Sequence, residues 1–125
     1  MPSTVQPVVV TPDLDRLRRF YAELVGAVEV SRVPDEGEVF FLGLRIGDSD
    51  VGLVSNPSVS TGRSGRLLLS IGVDDVGALV PRIPALGGTV TGGPNDMPWG
   101  QRVLHAEDPD GNGLNLTQQL AADEV

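Results

Sequence analysis

The chain has 125 residues, no cysteine and no lysine, and its nine basic residues are all arginine. Its length suits one domain, residues 1–125, that buries roughly two thirds of its unfolded surface without staples. Disulfides, thiolate metal sites and a cysteine nucleophile are excluded, and a net charge of −8 argues against nucleic acid as a partner.

No apolar run approaches the roughly 18 residues that span a bilayer, and no basic-then-apolar leader opens the sequence. A soluble, cytoplasmic protein with no membrane partner is expected. The acidity either suits a cationic ligand or only keeps the surface solvated.

Val5 to Val10 reads as a strand, with Pro7 near its start or on an edge. Thr11 is a candidate N-cap, with Pro12 at the first helical position. Leu14, Leu17, Tyr21, Leu24 and Val25 recur at helical spacing beside Phe20, which predicts an amphipathic helix ending near Gly26. Val28 and Val30 suggest a strand, Glu38 to Ile46 a second and Val51 to Ser55 a third, the last two joined by a turn at Asp48-Ser49-Asp50. Asn56 to Gly65 is rich in Ser, Gly and Pro and reads as a linker.

Leu67 to Val73 is strand-like. Val76, Leu79, Val80, Ile83 and Leu86 follow at helical spacing, with Gly87-Gly88 as the stop. Pro81 and Pro84 conflict with a continuous helix, so a short, kinked or partly 3₁₀ one is expected. Thr89 and Val90 start a strand, and Thr91 to Pro98 reads as a mobile loop. Val103 to Glu107 is extended, Asp108-Pro109-Asp110-Gly111 is strong turn chemistry, and Leu114 and Leu116 alternate with Asn115 and Thr117 as in a strand.

The two halves repeat. With a shift of 62, Asp13-Leu14 falls on Asp75-Val76 and Leu17 on Leu79; with one more, Val51-x-Leu53 falls on Leu114-x-Leu116. Each half reads β-α-β-β-β, over 5–55 and 66–119, with 56–65 between them. Trp99-Gly100-Gln101-Arg102, then Asp108-Pro109-Asp110-Gly111-Asn112, then an alternating strand, resembles the glyoxalase / bleomycin-resistance / extradiol-dioxygenase (vicinal oxygen chelate) superfamily. The resemblance covers about Val5 to Gln118. It implies an α+β fold in which two βαβββ units form a curled mixed sheet, a half-barrel, around a central pocket.

Metal-bearing members of that family place one ligand in the first and last strand of each unit. The matching positions here are Gln6, Gly52, Leu68 and Asn115. Leucine and glycine side chains cannot ligate, and neutral amides are weak donors for Zn²⁺, Fe²⁺ or Ni²⁺. Val8, Ser70 and Thr117, on the same faces, are no better. His105, the one histidine, lies just before the turn and away from these positions, so it reads as a partly covered strand residue rather than a ligand. No metal and no other cofactor is expected.

The resemblance then points to the family's non-metal branch, whose members sequester drugs, usually as dimers. The expected ligand contacts are Trp99, Gln101, Arg102, Phe40, Leu42, Gln6 and Asn115, with the 91–98 loop closing over them. Trp99 either stacks on a planar ligand or anchors its loop. Arg102 pairs either with Asp96 or Asp108 or with an anionic ligand group. Phe40, Leu42, Leu44, Leu53, Leu67 and Leu69 either line a pocket or fill a core, and which of Phe40 and Phe41 faces the cup stays open.

The leading expectation is a metal-independent small-molecule-binding homodimer that sequesters an antibiotic or aromatic ligand. The alternatives are a lyase, isomerase or dioxygenase of the same superfamily, and a scaffold with a filled pocket. Gly62-Arg63-Ser64-Gly65 lacks the strand-then-helix context of a phosphate loop. No nucleophile elbow supports a serine hydrolase.

Overall fold

A computed structural model describes residues 6–61 and 68–121. The expectations that touch Val5, Gly62 to Gly65 and Leu67 lie outside the described residues. The chain forms two compact units, Met1–Thr61 and Gly62–Val125.

In the first unit, β1 (Val8–Thr11) leads into α1 (Leu14–Val25), then β2 (Val28–Val33), β3 (Phe41–Ile46) and β4 (Ser49–Ser55). The sheet order is β1-β4-β3-β2, with β1 parallel to β4 and the other pairs antiparallel. Thr11 belongs to β1 and is not the cap. Asp13 caps α1, its Oδ1 accepting from the Arg16 N–H at 3.1 Å, while Thr11 Oγ1 accepts from the Asp13 N–H.

The helix ends at Gly26, whose φ of +74° is left-handed; its N–H reaches Ala22 O and the next N–H reaches Tyr21 O. Leu17, Phe20, Tyr21 and Leu24 form its buried stripe, with the Phe20 and Tyr21 rings edge to face at 5.2 Å. Val9, Leu42, Leu44, Val51 and Leu53 supply the sheet side of this core. The β3–β4 turn is tighter than expected. Gly47 and Asp48 make it, and Ser49 and Asp50 are already paired in β4.

The second unit repeats the order: β5 (Leu68–Gly72), α2 (Val76–Leu79), α3 (Arg82–Ala85), β6 (Thr89–Asp96), β7 (Gln101–Glu107) and β8 (Gly113–Gln119). Its sheet runs β5-β8-β7-β6, with β5 parallel to β8. The helical stretch breaks into two single turns at Pro81, since a proline ring and missing N–H cannot continue α2. Val76 and Ile83 are buried, as are Leu104, Ala106, Leu114 and Leu116 of the sheet. The Val76 N–H donates to Gln118 Oε1 at 3.0 Å, tying α2 to β8.

Thr91 to Asp96 is strand and not a loop. It continues β6 along β7, with register shifts between Val90 and Gly92 and between Gly92 and Asn95. Those bulges let an edge strand hold the Gly92-Gly93-Pro94 run. Gly93 has φ +82°, and a Cβ there would lie 2.6 Å from Val103 O, so only glycine fits.

The β7–β8 turn is built on Asp108, which is 2% exposed. Its Oδ1 accepts from the N–H groups of Asp110 (2.9 Å) and Asn112 (3.0 Å), and its Oδ2 accepts from Asn112 Nδ2 (2.8 Å). Gly111 has φ +87° and donates its N–H to Asp108 O. Removing this carboxylate strands two backbone donors in a buried turn. Asp108→Ala is expected to lower unfolding free energy by about 2–3 kcal/mol in a denaturant titration, whereas Asp108→Asn, which keeps the acceptor Oδ1, is expected to lose less.

Candidate functional site

The two sheets share one ladder geometry. In the first unit Val8 faces Gly52 and Gly52 faces Gly43. In the second, Ser70 faces Asn115 and Asn115 faces His105. The offset is 62 on the first and third strands and 63 on the fourth, as the sequence repeat implies. The pair Gly43–Gly52 therefore stands where His105–Asn115 stands in the other unit.

Two glycines leave a hollow, which the Phe41 ring covers over Gly52 and the Ser31 side chain over Gly43. A Cβ on Gly52 would lie 2.9 Å from Phe41 Cε2 and 3.0 Å from its Cζ. Phe41 thus lies on the face away from the α1 core. Phe40 precedes β3 and is exposed.

In the second unit the equivalent place is polar. His105 Nδ1 and Asn115 Oδ1 are 2.7 Å apart. An amide oxygen only accepts, so the ring donates from Nδ1 and leaves Nε2 unprotonated in the neutral imidazole. The ring's Cδ2 edge lies 3.6 Å from where a Gly92 Cβ would be. One edge of the ring therefore leans to β8 and the other to β6, so Nε2 and Cε1 point off the sheet.

An open concavity of ≈ 410 Å³ lies here, lined by Leu68, Thr91, His105, Ala106, Glu107, Gly113, Leu114 and Asn115. His105 is therefore beside an expected ligand position and not away from one. Glu107 and Thr91 were not among the expected contacts. The signal was present in the turn: a hairpin closed between Glu107 and Gly113 puts His105 opposite Asn115 two residues further on.

The other expected contacts are placed as follows. Trp99 is 66% exposed, and its Nε1 donates to Gln101 Oε1 at 2.9 Å. Its indole is thus fixed at one edge and open at its face. Gln101 Nε2 in turn reaches Gln119 Oε1 at 3.5 Å. Arg102 Nε and Nη2 donate to the two oxygens of Asp96, at 2.6 and 3.3 Å. The Arg102 hydrogen bond holds the Asp96 carboxyl below the usual carboxylate range. Leu42 is buried in the first unit's core and borders no open space in that unit's surface. Gln6 precedes β1 and is exposed.

The four positions expected of metal ligands do not suit a metal. Gly52 has no side chain and Phe41 occupies the space above it. Leu68 is aliphatic, and the Asn115 oxygen is engaged by His105. Gln6 adds one neutral amide. Such donors do not hold a divalent transition ion. Among the described residues no three of His, Cys, Asp and Glu are grouped to do so.

The model of the Glyoxalase/Bleomycin resistance protein/Dioxygenase superfamily matches residues 4–116. This chain belongs to that superfamily.

Solved structures agree on the fold. A glyoxalase/bleomycin resistance protein/dioxygenase family enzyme from Burkholderia phytofirmans PsJN is 25% identical, with a TM-score of 0.75 over 90% of this chain and 95% of that one. The bleomycin resistance determinant encoded on the transposon Tn5 is 22% identical, with a TM-score of 0.67 over 94% and 98%. The fosfomycin resistance protein FosX from Listeria monocytogenes, solved with Mn(II) and 1S,2S-dihydroxypropylphosphonic acid, is 14% identical, with a TM-score of 0.77 over 99% and 96%. A search of curated proteins finds no match.

The superfamily's two-unit plan thus carries a polar pair in one unit and a glycine pair in the other. Long-range ¹H–¹⁵N spectra at about pH 8, above the ordinary histidine range, are expected to show His105 protonated on Nδ1. Asn115→Ala is expected to release that preference. An Nε2-protonated ring in the unaltered protein would refute the assignment.

Proposed function

We propose that this chain is a metal-independent small-molecule-binding protein that sequesters an aromatic or antibiotic ligand. The observation that carries the reading is the concavity on the second sheet. It combines an apolar wall, a fixed hydrogen-bonding pair and space, without the donor set a metal needs. The exposed face of Trp99 in the same unit adds a stacking surface. Trp99, Gln101, Arg102 and Asn115 remain the proposed contacts. Phe40 and Gln6 are exposed in the first unit and are proposed as ligand contacts there. Bleomycin and fosfomycin resistance proteins among the structural neighbours support an antibiotic as the ligand.

A homodimer belongs to the same proposal. The edge strand β2 exposes Val28 (60%), Val30 (50%) and Val33, and Phe40 follows them. Such a row on a sheet edge suits coverage by a second copy. Among the described residues no helix is long and apolar enough to cross a membrane. A cytoplasmic location is proposed with the rest.

Two measurements test this. Metal content is determined after incubation with Zn²⁺, Ni²⁺, Mn²⁺ or Fe²⁺ and desalting. Near-zero metal is expected. About one equivalent per chain or per dimer would instead favour a lyase, isomerase or dioxygenase of the superfamily. Trp99 fluorescence is then followed against a panel of aromatic compounds and antibiotics, and at least one saturable change is expected. As Trp99 is the only tryptophan, the signal has one source. A silent panel, with no binder by calorimetry either, would overturn the reading.

A further inference from the structure

We propose that the second sheet's concavity selects an organic ammonium, holding its N–H groups between the Glu107 carboxylate and His105 Nε2, with its apolar part over Gly113 against Leu68. This deepens the binding reading above and rests on it.

The ladder defines the floor of the site. One row across the sheet is Leu68–Gly113–Glu107–Thr89, and the next is Ser70–Asn115–His105–Gly92. Glu107 and His105 are two apart on one strand. They therefore point to the same face, with backbones about 6.6 Å apart. Gly113 contributes no side chain between Leu68 and Glu107, so the floor is hollow there. A Cβ on Gly113 would lie 3.2 Å from Leu68 Cδ1, which shows how closely Leu68 borders that hollow.

The polar groups of the floor match one ligand chemistry. Glu107 is half-buried, and among the described residues it has no hydrogen-bond or ion-pair partner. Its ladder neighbours, Gly113 and Thr89, carry no charge. A partly desolvated carboxylate without a cation gains more from an incoming one than a solvated carboxylate does. His105 Nδ1 is taken by Asn115, which leaves Nε2 as a hydrogen-bond acceptor. Two acceptors, one of them charged, call for a ligand with a positive charge and at least two N–H donors. A primary or secondary ammonium has both. A carboxylate or phosphonate ligand would meet repulsion from Glu107 and find no donor on Nε2. The apolar border supplied by Leu68 calls for a hydrocarbon or aromatic group beside the charge.

The chain's single histidine makes the test direct, because its imidazole ¹H–¹³C signals come from His105 alone. The probes are benzylamine, benzyl alcohol and phenylacetate, matched in size and titrated separately into the full chain at about pH 8, below the ordinary range of an aliphatic amine, so that benzylamine is charged. Benzylamine is expected to shift the His105 signals saturably, with a Kd on the order of 1 mM for so small a ligand. The alcohol is expected to bind at least about tenfold more weakly, and phenylacetate not at all. Glu107→Gln is expected to weaken benzylamine binding by about 10- to 100-fold.

Equal or tighter binding of phenylacetate or benzyl alcohol would overturn the proposal. So would undiminished benzylamine binding in Glu107→Gln. If that variant fails to fold, the three-probe comparison on the unaltered protein still decides. If His105 is silent to benzylamine while another compound changes Trp99 fluorescence saturably, the ammonium assignment fails and the binding reading stands. If neither residue responds to any compound, both fail.

Discussion

The buried carboxylate of Asp108 is the constraint on which the second unit's site depends. Taking a carboxylate out of water is costly unless hydrogen bonds replace its hydration. Here two backbone N–H groups and the Asn112 amide do so. Satisfying them forces the chain into one turn, and Gly111 supplies the positive φ that the turn requires. A turn of defined length sets the β7–β8 register. A slip of one residue would send His105 and Asn115 to the opposite face and expose Leu114 and Leu116. The hydrogen-bonded pair, the hollow at Gly113 and the aim of Glu107 are all consequences of that register.

The internal repeat shows how one architecture can carry two different surfaces. Both units use the same strand order and the same parallel pairing of first and fourth strands. Their helical faces are alike in kind: apolar side chains packed beneath α1 in one unit, and beneath α2 and α3 in the other. The opposite faces differ because little packing constrains them. Where the first unit has Gly43 and Gly52, the second has an imidazole bonded to an amide. The first arrangement is filled, by the Phe41 ring over Gly52 and the Ser31 side chain over Gly43. The second is polar and leaves one imidazole nitrogen unengaged by the sheet.

Much of the fold was legible because its signals are local. The Asp-Pro-Asp-Gly turn, the glycine stop at Gly26, the helical spacing of Leu17, Tyr21 and Leu24, and the prolines at 81 and 84 each act over a few residues. The α+β class and the doubled βαβββ order followed from them. The errors fell where pairing overrides composition. Gly92-Gly93-Pro94 reads as loop by residue type, yet the β7 backbone beside it offers hydrogen bonds that a bulged edge strand can still use. Thr11 has capping chemistry but is absorbed into β1, which leaves the cap to Asp13. Alternation along β3 cannot tell the helix-covered face from the open one, so it leaves Leu42 between pocket and core. Burial places it in the core.

Residue types and short spacings were enough for the order and repetition of most elements, the superfamily, and the poverty of metal-ligand chemistry at Gln6, Gly52, Leu68 and Asn115. Only the tertiary structure decided that His105 meets Asn115, that Phe41 covers Gly52, that Arg102 is held by Asp96, and that Glu107 borders an open hollow. Those are relations between strands. They are set by ladder register and by which sheet face the helices cover, and neither is a property of any one segment.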